Sequence, residues 1–195
     1  VGVDTHREGI YITIAKELSN HLNLTIDWEV IAKSGYTAKA VTHKLLPRIK
    51  NKDIDLIVIG LGGNNAFTLC TPNKWKKDIN ELIQNLQSIY NDVPIVFINM
   101  PPIKAFPAFT PLIQFTLGNL VELLGKELSK VVENYSEVHY YSRVINLEDW
   151  IHRLQINAKP EEFFSDGVHP SKLTYQVWAR DVAGYIIDNQ IVENN

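Results

Sequence analysis

Apolar and polar positions along the chain switch repeatedly between helical spacing and short apolar runs, the pattern of helices exchanging with strands. Ile14, Leu18 and Leu22 recur at helical spacing with Tyr11 and Ala15 beside them, predicting a first helix over 10–22. Ile26, Trp28 and Val30 then alternate with polar residues, as in a half-buried strand at a sheet edge. Val41, Leu45 and Ile49, with Ala38 in line, mark a second helical face. The run IDLIVIG (54–60) is continuously apolar and fits a strand buried on both faces of a parallel sheet. Trp75, Ile79, Leu82, Leu86 and Ile89 define a third helix, and PIVFINM (94–100) a further strand. A long apolar helix over 112–132 precedes a short strand at VHYY (138–141). The last helix is expected to start at Pro170, because proline suits a first helical position, and to carry Leu173, Val177, Trp178, Val182 and Ile186 inward.

Strands alternating with helices of this length imply right-handed βαβ crossovers and helices on both sheet faces. The expected fold class is therefore α/β, a three-layer αβα sandwich around a flavodoxin-like parallel sheet. No repeat, low-complexity tract or linker divides the chain, so residues 1–195 read as a single domain. One element is out of place. The order opens on a helix that no strand feeds, and only four strands follow. In a sheet ordered 2-1-3-4-5 the first strand is central, and without it the segment 26–30 has no neighbour. The expectation is a domain that is N-terminally incomplete, its first central strand missing from this chain.

Composition narrows the function classes. With 195 residues, 45% of them hydrophobic, the chain can bury one sizeable core. A net charge of -3 and the lack of any Lys/Arg-rich run argue against nucleic acid as the partner. The single cysteine, Cys70, excludes an internal disulfide framework and leaves no CxxC metal or redox site. No apolar run approaches the roughly 18 residues needed to span a bilayer.

In parallel sheets of this kind sites form at the C-terminal ends of strands. Three stretches there carry candidate chemistry. After segment 26–31, AKSGYTA turns into a helix at Gly35, where a free backbone N–H can face an anionic oxygen. After the strand 54–60, GLGGNNA places Gly62, Gly63, Asn64 and Asn65 on a tight loop. Near the last helix, FFSDGVHPS sets Asp166 three residues before His169. Each stretch also has a plain structural reading: Gly35 as a turn, the Gly-Gly-Asn-Asn loop as ordinary positive-φ chemistry or a weak phosphate cradle, Asp166 and His169 as turn and cap. Taken together they supply oxyanion donors and an acid-oriented base. The remaining histidines, His6, His21, His43, His139 and His152, read as surface or packing residues, and no carboxylate or histidine cluster suggests a metal. No cofactor is expected.

GYTA around Gly35, GGNN at 62–65 and DGVHPS at 166–171 resemble the later blocks of the SGNH (GDSL-type) serine hydrolases: esterases, lipases, lysophospholipases and thioesterases. GVDTHREG near the start and the stretch PPIKAFPAFTPLIQFTLGNLVELLGKEL resemble one bacterial esterase-like branch. The resemblance implies a carboxylic-ester hydrolase working through an acyl-serine intermediate on a small-molecule or lipid-like acyl ester. It makes His169 the general base and Asp166 the carboxylate that orients it. It makes the Gly35 N–H and the Asn64 side-chain amide the oxyanion-hole donors. The apolar run through Ile103, Phe106, Phe109, Leu112 and Phe115 is a candidate acyl-pocket wall, or else a loop packing onto the core.

Two departures from the family pattern stand out. Asn65 occupies the place where the third block carries an aspartate, so the loop's hydrogen bonding is expected to differ. The Gly-Asp-Ser block that carries the nucleophile is absent from these residues; Ser34 and Ser165 adjoin recognised blocks, but neither lies at a first-strand end. The missing strand and the missing serine share one explanation, a segment upstream of Val1. The competing expectation is a catalytically inactive domain of the same fold that binds an acyl or carbohydrate ligand. A nucleotide-binding flavodoxin-like domain fits less well, since it leaves Asp166 and His169 without a role.

Overall fold

A computed structural model of the chain describes residues 9–51, 53–153 and 155–192. The stretch GVDTHREG, apart from its final glycine, and His6 with it, lie outside the described residues. The described residues group into two compact units, one formed by residues up to Val30, Pro102–Phe115 and those from Ile145 on, the other by Ile31–Pro101 and Thr116–Val144.

In the first unit, helix α1 (Ile10–Leu22) buries Ile10, Ile12, Ile14, Ala15 and Leu18. It stops at Asn23, whose φ of 54° is left-handed and whose N–H returns to the Ser19 carbonyl. The expected edge strand over 26–30 does not form. Residues 25–33 have no regular structure, and Trp28 is 44% exposed. A strand exists only where its backbone is paired, and no ladder among the described residues reaches this segment.

In the second unit, the predicted helix around Val41 becomes three short pieces. Helix α2 (Ala38–Ala40) runs into a π turn at Val41–Leu45 and a 3₁₀ turn at Leu46–Arg48. Pro47 has no N–H to continue an α-helical ladder, and the stretch tightens and ends there. Strand β1 (Ile57–Ile59) leads to α3 (Gly63–Phe67) and α4 (Pro72–Tyr90). Thr71 caps α4 by accepting the Lys74 N–H, Pro72 opens it, and Trp75, Ile79, Leu82, Ile83 and Leu86 form its buried face. Strand β2 (Ile95–Phe97) follows, buried at all three residues.

Helix α5 (Pro111–Val132) returns the chain to β3 (Val138–Tyr140). The three strands are parallel in the order β1-β2-β3, with Ile57 opposite Ile95 and Ile95 opposite Val138. The strand 54–60 was expected to be buried on both faces, yet β1 is half-buried throughout. Among the described residues it is an edge strand, bonded on its β2 side only. Helix α5 packs close to the sheet at Gly125, where a Cβ would stand 2.9 Å from the Tyr140 hydroxyl. Burial pushes that phenol up to about 12. The Trp75 indole N–H donates to the Leu124 carbonyl at 2.9 Å and locks α4 to α5.

The C-terminal part of the first unit holds α6 (Leu147–Arg153) and α7 (Lys172–Asp188). The fully buried Trp150 donates its indole N–H to Asp181 at 2.6 Å, which ties them together. Helix α7 carries Val177, Trp178, Val182 and Ile186 into the core, with Leu173 half-buried. It starts later than expected. Ser171 is the N-cap, accepting the Thr174 N–H, and Pro170 lies outside the helix in an antiparallel bridge with Phe164. A hydroxyl cap satisfies a helix-end donor that proline at the same place leaves open.

Candidate active site

The segment 163–171 closes on itself as a narrow turn. The Ser171 N–H donates to the Phe163 carbonyl at 3.0 Å and the Ser165 N–H to the His169 carbonyl at 2.8 Å. At its tip Gly167 adopts φ 83°, a conformation costly for residues with a Cβ. Asp166 organises what remains. One carboxylate oxygen accepts the backbone N–H groups of Val168 and His169 at 3.1 and 2.8 Å. The other lies 2.7 Å from His169 Nδ1. The His169 side chain first, then the two backbone donors, hold the Asp166 carboxyl at about 2. An ionised carboxylate only accepts, so the neutral imidazole carries its proton on Nδ1 and presents a bare Nε2. Both side chains are solvent-facing, at 43% and 56% exposure for His169 and Asp166. The Ser165 hydroxyl donates to the His169 carbonyl at 3.1 Å and serves the turn itself.

The same unit places the apolar segment 102–115 against this turn. Ile103 and Phe106 are buried, so of the expected pocket wall these two belong to the core. The Phe106 ring packs edge-on to Phe164 at 5.5 Å and tilts against Phe109 at 5.4 Å. Phe109 is half-buried, whereas Leu112 and Phe115 stand out at 71% and 67% exposure. The Ala108 N–H donates to the Gly167 carbonyl at 3.1 Å, a contact that nothing in the residue pattern signals.

In the second unit the two expected oxyanion donors share one small framework. Gly35 sits in a turn at φ 79°, closed by Tyr36 N–H to the Lys33 carbonyl at 3.2 Å. A Cβ built on it would meet nothing within 4 Å, so open space adjoins its backbone. Asn64 lies on α3, and its amide donates one hydrogen to the Tyr36 carbonyl at 3.0 Å. Each side-chain amide has two hydrogens, so one remains to donate. Asn65, the departure from the family pattern, is 1% exposed, and its side-chain Oδ1 accepts the Ala38 N–H at 3.2 Å. The adjacent asparagines thus bind the carbonyl of Tyr36 and the N–H of Ala38, and fix the Gly35 turn to the Gly62–Asn65 loop. Gly62 opens that loop at φ 114° beneath Met100. Of the other histidines, His43 meets Glu81 at 3.2 Å as an exposed surface pair.

The fold is α/β around a parallel sheet, and comparison with known proteins makes the chain a hydrolase of that class. Residues 2–177 match the model of the GDSL-like Lipase/Acylhydrolase family. The chain belongs to that family, a family of ester hydrolases. Among solved structures it is similar to the lipase Lip_vut3 from a goat rumen metagenome, at TM-score 0.64 and 16% identity over 95% of this chain and 91% of that one. It is similar to a Clostridium thermocellum family 3 carbohydrate esterase at TM-score 0.59 and 17% identity, over 92% and 86% of the two chains. A third likeness is LAE5, an alpha/beta hydrolase enzyme from the metagenome of Lake Arreo, Spain, at TM-score 0.64 and 12% identity over 98% and 87%. Comparison with curated proteins gives no match. Among the described residues no helix is long and apolar enough to cross a membrane.

Proposed function

We propose that this chain is the greater part of a single carboxylic-ester hydrolase domain working through an acyl-serine intermediate. Its nucleophilic serine is supplied by sequence upstream of Val1. The observation that carries the reading is the 2.7 Å contact between Asp166 and His169 Nδ1, with the acid ionised, which in the neutral imidazole leaves Nε2 as the acceptor. In that arrangement Nε2 takes the serine hydroxyl proton as the serine oxygen bonds to the ester carbonyl carbon. The carbonyl electron pair moves onto oxygen, and the family resemblance assigns its reception to the Gly35 N–H and the second Asn64 amide hydrogen. Collapse of the tetrahedral species breaks the bond to the leaving alkoxide, which regains the proton from Nε2. Water then repeats the sequence and frees the acid. One such oxyanion donor is typically worth about 3 to 4 kcal/mol of barrier.

The substrate side of the reading is an acyl ester of short to medium chain. Phe109, half-exposed beside the catalytic turn, is the member of the apolar run best placed to meet it. Similarity to a lipase and to a carbohydrate esterase supports an ester linkage without choosing the alcohol. The test uses the protein with its native upstream sequence. A fluorophosphonate should label one serine before Val1, and nitrophenyl esters of increasing chain length should turn over with an optimum below long acyl chains. His169→Ala should lower kcat by about 10⁴-fold or more. Full turnover in His169→Ala removes the base from the mechanism. No labelling and no turnover in the extended protein replaces the enzyme with an inactive acyl- or carbohydrate-binding domain of the same fold.

A further inference from the structure

Both members of the Asp166–His169 pair are exposed, so packing around their side chains does not hold them. Their geometry depends on the backbone of the turn, and that backbone is touched from outside at Gly167. The Ala108 N–H donates to the Gly167 carbonyl at 3.1 Å. The approach is close. A Cβ on Gly167 would stand 3.0 Å from the Ala108 Cβ and 3.2 Å from its backbone nitrogen, in a residue already at φ 83°. Ala108 is itself well anchored although exposed. Two residues before it, Phe106 is buried against Phe164, and the Phe106 carbonyl accepts the Gln114 amide at 2.9 Å. The segment 103–114 is thus a strap tied down at Phe106, whose Ala108 backbone donor meets the residue between the acid and the base.

We propose that Ala108 is a positioning residue, and that its N–H, together with the absence of a side chain at Gly167, sets the Asp166 to His169 geometry. The kinetic consequence rests on the hydrolase reading. The geometry does not, because the imidazole tautomer reports it without turnover. A free neutral histidine favours the Nε2–H tautomer, whereas a carboxylate at Nδ1 selects Nδ1–H. In ¹⁵N spectra of the full chain with neutral imidazole, His169 should be Nδ1–H in the unaltered protein and should lose that preference in Asp166→Ala. Ala108→Pro, which deletes the donor, and Gly167→Ala, which forces the strap away, should shift His169 in the same direction while near-ultraviolet circular dichroism stays native. Retention of the Nδ1–H tautomer in both variants overturns the proposal.

Should either variant misfold, amide hydrogen exchange of the unaltered chain decides. The Ala108 amide should be protected despite the exposure of its residue, and exchange at the solvent rate would sink the idea. In the extended, active protein the two variants should lower kcat by about 10- to 100-fold with KM unchanged, the size expected of a misplaced catalytic group. A rise in KM alone would make Ala108 a substrate contact and overturn the positioning role. Loss of turnover in the unaltered protein would overturn the hydrolase reading and leave the tautomer result standing.

Discussion

Asp166 and Asn65 both direct a short polar side chain at backbone N–H groups, and they differ in charge and depth. Asp166 is exposed and ionised. Its folded-state carboxyl sits at about 2 against an ordinary 3.8, so the stability it contributes is fully present above pH 3.8 and is lost as pH falls toward 2. Urea unfolding at several pH values should therefore show the unaltered protein weakening across that window more than Asp166→Asn. Asn65 is buried and neutral, and its role is to satisfy the Ala38 N–H. Asn65→Ala leaves that donor without a partner and should cost about 1 to 3 kcal/mol in the same unfolding assay. Asn64→Ala, one residue earlier, removes the bond to the Tyr36 carbonyl and should cost about 1 kcal/mol as well, and should in addition lower kcat of the extended enzyme by about 10²- to 10³-fold. On the proposed reading both asparagines hold the loop, and Asn64 also stabilises the oxyanion.

At the scale of elements, α4 and α5 offer the clearest energetic test. Trp75 is fully buried, and its indole N–H reaches the Leu124 carbonyl. Trp75→Phe keeps most of the apolar contact and removes the bond, so a loss of about 1 kcal/mol is expected by thermal unfolding. Trp75→Ala, which opens a cavity as well, should cost about 3 to 5 kcal/mol. The periodicity that marked Trp75, Ile79, Leu82 and Leu86 was legible because a long amphipathic helix repeats its signal over several turns. Strand 95–97 was legible for a related reason, since its uninterrupted apolar run suits the buried central place that β2 holds between β1 and β3, a place the similar run in β1 does not have. The segment 26–30 was misread because alternation specifies a face but not a partner, and a strand requires the partner. Pro170 misled because two capping rules competed and the Ser171 hydroxyl won. Asp166 and His169 could be paired from spacing alone. The Ala108–Gly167 bond joins positions 59 apart with no patterned residue at either end, and only the folded chain reveals it.

The whole-molecule question is what β1 lacks. Ile57 donates its N–H to the Pro94 carbonyl, and Ile59 offers its carbonyl to the Ile98 N–H. Successive residues of a strand turn their backbone groups to opposite edges, so Val58 points its N–H and carbonyl away from β2. In the order β1-β2-β3 no strand receives them among the described residues. A half-buried edge made of Ile57, Val58 and Ile59 is also the kind of bare apolar edge that soluble sheets cover or blunt. In a 2-1-3-4-5 sheet the strand beside this edge is the first one, and sites form at the C-terminal ends of such strands. On the proposed reading, one upstream segment would supply both the ladder partner and the serine. Amide exchange of the chain as it stands should find Val58 poorly protected between better-protected Ile57 and Ile59. In the protein extended by its native upstream sequence, Val58 should gain protection by a factor that tracks the added stability, and fluorophosphonate labelling should appear with it. Labelling without protection at Val58 would place the serine on something other than a paired first strand. Protection without labelling would describe a completed sheet with no nucleophile.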